Sequence, residues 1–256
     1  MCLVKNEKNI ISSEFQFARR ENGLTIRYLA QCLINDLVFP NQDGIICLLK
    51  NSFDGDGNNL FYNFSERWEY WFLFHLEDFG SGDKSEIDIL LKNGNTLFSI
   101  EVKAFTDPNT TDVKREIIRN YFTLLRIIKN SNLYFSNVTL VYPVLIYSIP
   151  VYEYKNPSSK SFNYFNSEFL YKQGSHQKDI MSVWSSSAIK NPQLENNADA
   201  LTLVKNISKK LLFLNWNNIL DCILELNHNE KFSSIITEMR NRKDKIQNVR
   251  LISKIK

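Results

Sequence analysis

Apolar and polar residues alternate along the stretch SEIDILLKNGNTLFSIEVKAF, residues 85–105. Alternation with a period of two is typical of a β-strand that has one face in the core. The pair Asn93-Gly94 lies between two such runs, and this pair is a strong signal for a tight hairpin. With these two as the turn residues, Lys92 pairs with Asn95, which sets the register of the whole hairpin.

This register divides the side chains of the hairpin between two faces. One face is apolar and is predicted to lie in the core: Ile87, Ile89, Leu91, Phe98, Ile100 and Val102. The other collects charge at the end away from the turn, with Glu86 opposite Glu101, Asp88 one diagonal away, and Lys103 beside them. A solvent-exposed polar face is the alternative, but it would sooner set opposite charges against each other, since facing like charges destabilise a strand pair. The pattern therefore favours a site for a divalent cation.

Asp88, a turn, and then Glu101-Val102-Lys103 at the end of an apolar strand resemble the signature of the PD-(D/E)XK nuclease superfamily, the restriction-endonuclease-like fold. The resemblance spans residues 60–150, and Ile87 stands where the proline of the family name would be. It implies an α/β fold in which a mixed central sheet is flanked by helices. It also implies that Asp88, Glu101 and the main-chain carbonyl of Val102 hold Mg²⁺, with Mn²⁺ as a substitute, while Lys103 acts on the attacking water.

Upstream of the hairpin, residues 58–80 are apolar on nearly every side from Phe64 to Phe79, which predicts a largely buried helix. Glu69 lies within this aromatic run, where an ionised carboxylate needs a partner or a cation. Many members of the superfamily supply a glutamate from such a helix, so Glu69 is the predicted third acidic residue. Glu66, which fits a capping box, and Glu86 are the alternatives.

Downstream, residues 108–132 predict an amphipathic helix, and residues 138–149 predict a buried strand in which Pro143 indicates an irregularity or an edge. The helix carries one apolar stripe and a mostly exposed basic set: Ile117, Ile118, Tyr121, Leu124, Leu125 and Ile128, against Lys114, Arg115, Arg119 and Arg126. Strand, helix and strand imply a parallel crossover. The family core usually has three strands between its two helices, so residues 44–50 are the candidate for the missing strand.

The composition of the whole chain favours a compact enzyme. The chain has 256 residues, 43% of them hydrophobic, and a net charge of +3, with no apolar run long enough for a membrane and no export leader. We therefore expect a cytoplasmic protein. The expected division is a helical and strand elaboration at 1–59, a catalytic core at 60–150, and a polar loop region with a helical C-terminal part at 151–256, together forming one compact unit.

Two segments carry the charge and aromatic pattern of nucleic-acid binding: the basic residues 239–256 and the lysine-aromatic stretch 154–178. A solvated helix end and an ordinary polar insertion are the alternatives. The expected function is Mg²⁺-dependent cleavage of double-stranded DNA by a type II restriction-type endonuclease. Alternatives are a nuclease effector of another defence or repair system, or a non-catalytic nucleic-acid-binding protein. A homodimer is expected from the symmetry of duplex DNA, with the predicted helical segments 11–38 and 198–228 as candidate interfaces.

Overall fold

The computed structural model describes residues 43–60, 68–75, 86–103, 111–129, 134–147, 169–170 and 197–215. In chain order these residues form the elements α1 (Asp43–Lys50), β1 (Trp68–His75), β2 (Glu86–Asn93), β3 (Thr96–Lys103), α2 (Thr111–Lys129), β4 (Leu140–Tyr147), α3 (Asn197–Lys210) and β5 (Leu212–Asn215). The fold is mixed α/β, as the sequence predicts.

The five strands form one mixed sheet in the order β1-β2-β3-β4-β5. β1, β2 and β3 are an antiparallel meander, whereas β4 is parallel to β3 and β5 is parallel to β4. The long helix α2 makes the crossover from β3 to β4, because parallel neighbours cannot be joined by a tight turn. The sheet thus extends past residue 150, to Asn215.

Both faces of the central strands are buried, as is usual when a sheet is covered on two sides. Ile89, Leu91, Phe98 and Ile100 are fully buried on the face predicted to be core. On the opposite face, Leu90 and Leu97 belong to a core cluster that includes side chains of α2, β4, α3 and β5. The polar residues at the open end of the hairpin therefore lie in a covered sheet and not on a wet surface.

The structure reverses two assignments made from the sequence. Residues 68–75, predicted as helix, form β1, the outermost of the described strands on that side of the sheet, and residues 44–50, predicted as strand, lie in helix α1. Runs that are apolar on every side do not separate a buried strand from a buried helix. In the first run the aromatic residues favour β structure. In the second, the buried Ile45, Leu48 and Leu49 follow helical spacing.

The hairpin is confirmed, but its predicted register is wrong by two residues. Asn93 pairs with Thr96, and the turn consists of Gly94 and Asn95. Gly94 adopts a φ of 56°, which the first turn residue needs in the two-residue turns that match strand twist. A shift of two preserves both faces. Extending the observed register past Ile89–Ile100 sets Asp88 directly opposite Glu101.

Helix α2 and strand β4 agree with the sequence in position, but the basic residues of α2 are not mostly exposed as predicted, since Arg115, Arg119 and Arg126 are partly buried. The predicted stripe of α2 is buried or partly buried, but Lys114 is also buried, and its Nζ lies 4.8 Å from the ring centre of Phe169. A lysine at that position can be buried because its cation meets an aromatic face. Pro143 lies just before β4 begins to pair with β5, where the strand has one described neighbour.

Of the remaining predictions from the sequence, one is confirmed in part, and the others fall mainly on residues that the structure does not describe. The helix predicted from 198 is present as α3, but residues 212–215 of that segment form a strand. The segments 11–38, 216–228 and 239–256, and all but two residues of 154–178, lie outside the described residues. No helix in the described ranges is long and apolar enough to cross a membrane.

Candidate active site

The open end of the β2–β3 hairpin brings two buried carboxylates together. Asp88 and Glu101 are 1% and 3% exposed. Asp88 Oδ2 accepts a hydrogen bond of 2.9 Å from the backbone N–H of Val102. Within the described residues the backbone pairing of the two strands ends at Ile89–Ile100. A side-chain carboxylate thus takes a main-chain donor at the point where the ladder stops.

Lys103 closes this end of the hairpin. Its ammonium forms an ion pair with Glu101 Oε1 and a second one, of 2.9 Å, with Oε2 of Glu116 on α2. The lysine side chain is 13% exposed, so most of its stem is covered and its charged end faces the carboxylates. Asp88, Glu101 and Lys103, the three residues that carry the family resemblance, therefore lie in one cluster.

Two residues of this cluster come from α2 and were not predicted from the sequence. Glu116 contacts Lys103, and the amide Nδ2 of Asn120 lies 3.5 Å from Glu101 Oε2, at the limit of a hydrogen bond. They stand four residues apart, which places them on the same face of the helix. A signal for Asn120 was present, since it lies three residues after Ile117 and four before Leu124 on the apolar stripe.

Burial and charge shift the titration of the cluster. Burial, and then the nearby Asp88 carboxylate, raise the pKa of Glu101 well above the usual glutamate range, against the opposing effect of Lys103. For Lys103, burial alone lowers the pKa, but Glu101, Asp88 and Glu116 outweigh burial and raise it above the ordinary lysine value. The cluster thus gathers three carboxyl groups around one lysine, and the raised pKa of Glu101 reflects burial and repulsion that a proton or a bound cation would relieve.

The structure does not bring Glu69 to this cluster. Glu69 lies on β1 opposite Lys92, and the two form an ion pair of 2.8 Å near the turn end of the hairpin. Asp88 is four residues further along β2, about 13 Å at the usual rise of a strand. Of the two alternatives, Glu86 pairs with His75 at the end of β2, and Glu66 lies outside the described residues.

The donor set of the cluster fits a hard divalent cation. Asp88 and Glu101 supply buried carboxylate oxygens, and oxygen donors are what Mg²⁺ prefers. Asn120 Oδ1 is buried beside them and accepts no hydrogen bond in the described part of the protein. No group of three or more His, Cys, Asp or Glu side chains arranged to hold a metal is found among the described residues. A cation here would rely on two carboxylates, neutral oxygens and water.

Comparison with known proteins adds no relative to this picture. No family model, no curated protein and no solved structure matches the chain.

Proposed function

We propose that the protein is a Mg²⁺-dependent endonuclease that hydrolyses phosphodiester bonds of double-stranded DNA. The observation that carries the proposal is the convergence of Asp88, Glu101 and Lys103 at the open end of one hairpin, all three largely shielded from solvent. Charges are rarely buried together without a purpose such as cation binding or catalysis. The two carboxylates and the lysine are also the chemical set that the family resemblance requires.

The order of the elements supports the same proposal. Among the described residues, three strands, β1 to β3, lie between α1 and α2, and β4 follows α2 as a strand parallel to β3. Three strands between two helices is the number that the restriction-endonuclease-like core implies, so the count among the described residues supports the proposal. The helix α2 lies across the end of the hairpin where the cluster is found, since Glu116 and Asn120 both reach it.

Each residue has a role that follows from its position. Asp88 and Glu101, with the carbonyl of Val102, would hold Mg²⁺, which when bound lowers the pKa of a water ligand and neutralises phosphate charge. The N–H of Val102 fixes the Asp88 carboxylate through its Oδ2 atom. Lys103 stays protonated around neutral pH because its pKa is raised. It therefore donates hydrogen bonds that orient the attacking water and stabilise charge on the phosphate.

A type II restriction-type enzyme is the simplest member class for this chain. One cluster of this kind cuts one strand, so two copies related by two-fold symmetry would cut both strands of a symmetric duplex site. We include the homodimer in the proposal on that ground. Light scattering of the protein alone and with a duplex that it recognises tests the homodimer. A protein that is monomeric in both conditions and still makes clean double-strand breaks would exclude the homodimer.

Cleavage itself is tested by incubating the full chain with mixed plasmid and phage DNA, in the presence of Mg²⁺ or of EDTA. Discrete fragments that require Mg²⁺ support a restriction-type endonuclease. A smear that requires Mg²⁺ supports a nuclease of lower sequence specificity, as expected for an effector. Intact DNA with Mg²⁺ and with Mn²⁺, across several DNA sources, contradicts the proposed function.

A further inference from the structure

Lys103 is held by two carboxylates that come from different elements. Glu101 is its neighbour on β3, two residues away, whereas Glu116 approaches from α2 with an Nζ to Oε2 distance of 2.9 Å. Glu101 is also one of the two buried carboxylates that the proposed function assigns to cation binding. A carboxylate oxygen that coordinates a cation is a poorer partner for an ammonium, because two cations then compete for it. Glu116 is not among the proposed cation ligands, so its carboxylate stays available to Lys103.

The position of Glu116 is fixed by the packing of α2 against the sheet. It lies on the same helix face as Asn120, which is 2% exposed and reaches Glu101. The neighbouring Ile117 and Ile118 are buried in the core cluster, so this turn of α2 is fixed against the sheet. The Glu116 side chain is about one-quarter exposed. That exposure keeps Glu116 at the rim of the cluster, with Lys103 between it and Glu101.

We propose that Glu116 is a positioning residue, which keeps the Lys103 ammonium at the reacting phosphate while Glu101 holds the cation. The inference rests on the proposed function and adds to it a residue that the sequence motif does not contain. Without Glu116, Lys103 keeps Glu101 as its remaining described ion-pair partner and competes with the cation for it, or it turns towards solvent. Either result lowers the rate of the chemical step and leaves DNA binding intact.

The chain offers a matched control for this test. The Glu69–Lys92 pair has nearly the same separation, 2.8 Å, and its glutamate is 28% exposed against 27% for Glu116. Glu69 lies at the other end of the hairpin. Glu69→Gln therefore removes the same charge from an equally exposed ion pair on the same sheet, without touching the cluster.

The experiment compares wild type, Glu116→Gln, Glu116→Asp and Glu69→Gln on supercoiled plasmid DNA. We expect Glu116→Gln to lower kcat by about tenfold to a hundredfold, the usual effect of a misplaced catalytic group, with KM within about twofold of wild type. Glu116→Asp keeps the charge on a shorter side chain, so its kcat should lie between those of wild type and Glu116→Gln. Glu69→Gln should stay within about twofold of wild type in both constants.

Two measurements without DNA separate positioning from other roles. Calorimetric titration with Mg²⁺ alone should show at most about a hundredfold weaker binding to Glu116→Gln than to wild type, the range for a residue that acts through a ligand, whereas loss of all measurable binding would make Glu116 itself a ligand and overturn the inference. Thermal unfolding should move no further in Glu116→Gln than in Glu69→Gln. A larger drop, with kcat restored at lower temperature, would assign Glu116 a merely structural role.

The outcomes also separate this inference from the proposed function. Wild-type cleavage together with an unchanged kcat in Glu116→Gln overturns the positioning role alone. A wild-type protein that cleaves nothing overturns the proposed function and the inference with it. If Glu116→Gln does not fold, Glu116→Asp still decides the question, because a kcat equal to that of wild type with a lengthened ion pair contradicts positioning.

Discussion

The two ends of the β2–β3 hairpin both bury a lysine against carboxylates, but they differ in charge balance. At the turn end, Lys92 and Glu69 form one pair, cation to anion. At the open end, Lys103 contacts Glu101 and Glu116, and Asp88 lies close enough to raise the pKa of Glu101 further. A balanced pair serves the stability of the sheet. An unbalanced one costs stability in the absence of a further cation, which is typical of a site built for binding.

The largest expected effect is on catalysis at the open end. Asp88→Asn and Glu101→Gln keep shape but remove charge, so each should lower kcat by about a thousandfold or more, equivalent to roughly 4 kcal/mol of activation free energy. Single-turnover cleavage of plasmid DNA measures this. Residual activity near that of wild type in both variants would break the assignment of the open end as the site.

Replacing the lysine at the open end of the hairpin should lower the free energy of unfolding more than replacing the lysine at the turn end. Lys103→Met leaves Asp88, Glu101 and Glu116 without their cation, which should cost about 3 kcal/mol of unfolding free energy at neutral pH. Lys92→Met leaves one partly exposed glutamate that water can solvate, so its cost should be about 1 kcal/mol. Urea unfolding gives both values. Equal losses would show that the charge imbalance has no energetic weight.

The open end should also make stability depend on pH. A glutamate whose pKa is raised in the folded state stabilises the fold fully below its unfolded pKa, and this contribution is lost as pH rises through the folded pKa. The raised pKa of Glu101 therefore predicts that the metal-free protein loses up to about 1.4 kcal/mol per pH unit above about pH 4.3. Lys103, also raised, keeps its contribution until pH exceeds about 10.4. Glu101→Gln should abolish the slope attributed to Glu101, as measured by urea unfolding from pH 5 to 8.

The smallest effect belongs to the turn itself. Gly94 has a positive φ of 56°, so Gly94→Ala should cost about 1 kcal/mol through backbone strain. The turn is remote from Asp88 and Glu101, and cleavage should be unchanged when measured well below the melting temperature. A rate loss in Gly94→Ala at that temperature would mean that the two ends of the hairpin are coupled.

The sequence predicted the hairpin and its two faces because a period of two is read directly from residue order. It missed the register, since Asn93-Gly94 and Gly94-Asn95 are both acceptable turns, each with a positive φ at Gly94, and only the observed pairing of Asn93 with Thr96 decides between them. It misassigned β1 because Trp68–His75 is apolar on both faces, and such a run has no informative period. Because of that error, Glu69 was predicted on a helix as the third acidic residue of the site, whereas it lies on β1 opposite Lys92.

The sequence predicted the residues of the candidate site that lie on β2 and β3, but it missed the two that lie on α2. Asp88, Glu101 and Lys103 are close in sequence, so a local motif identifies them. Glu116 and Asn120 reach the cluster only because α2 crosses from β3 to β4 over this end of the sheet. Asn120 interrupts an apolar stripe and was detectable as a polar residue facing the core. Glu116 lies at the margin of the stripe, where periodicity does not distinguish a buried contact from a solvated one.

The short strand β5 has a consequence for aggregation. It covers the outer side of β4, where Leu145 and Ile146 are fully buried. Without Leu212–Asn215, β4 would present unpaired main-chain groups beside apolar side chains, the combination that recruits strands from other molecules. β4 and β5 are far apart in the chain, and distant pairings form late in folding. Within the part of the chain that the structure describes, β5 is therefore the strand that protects this edge of β4, and it can do so only after residue 215 has been synthesised.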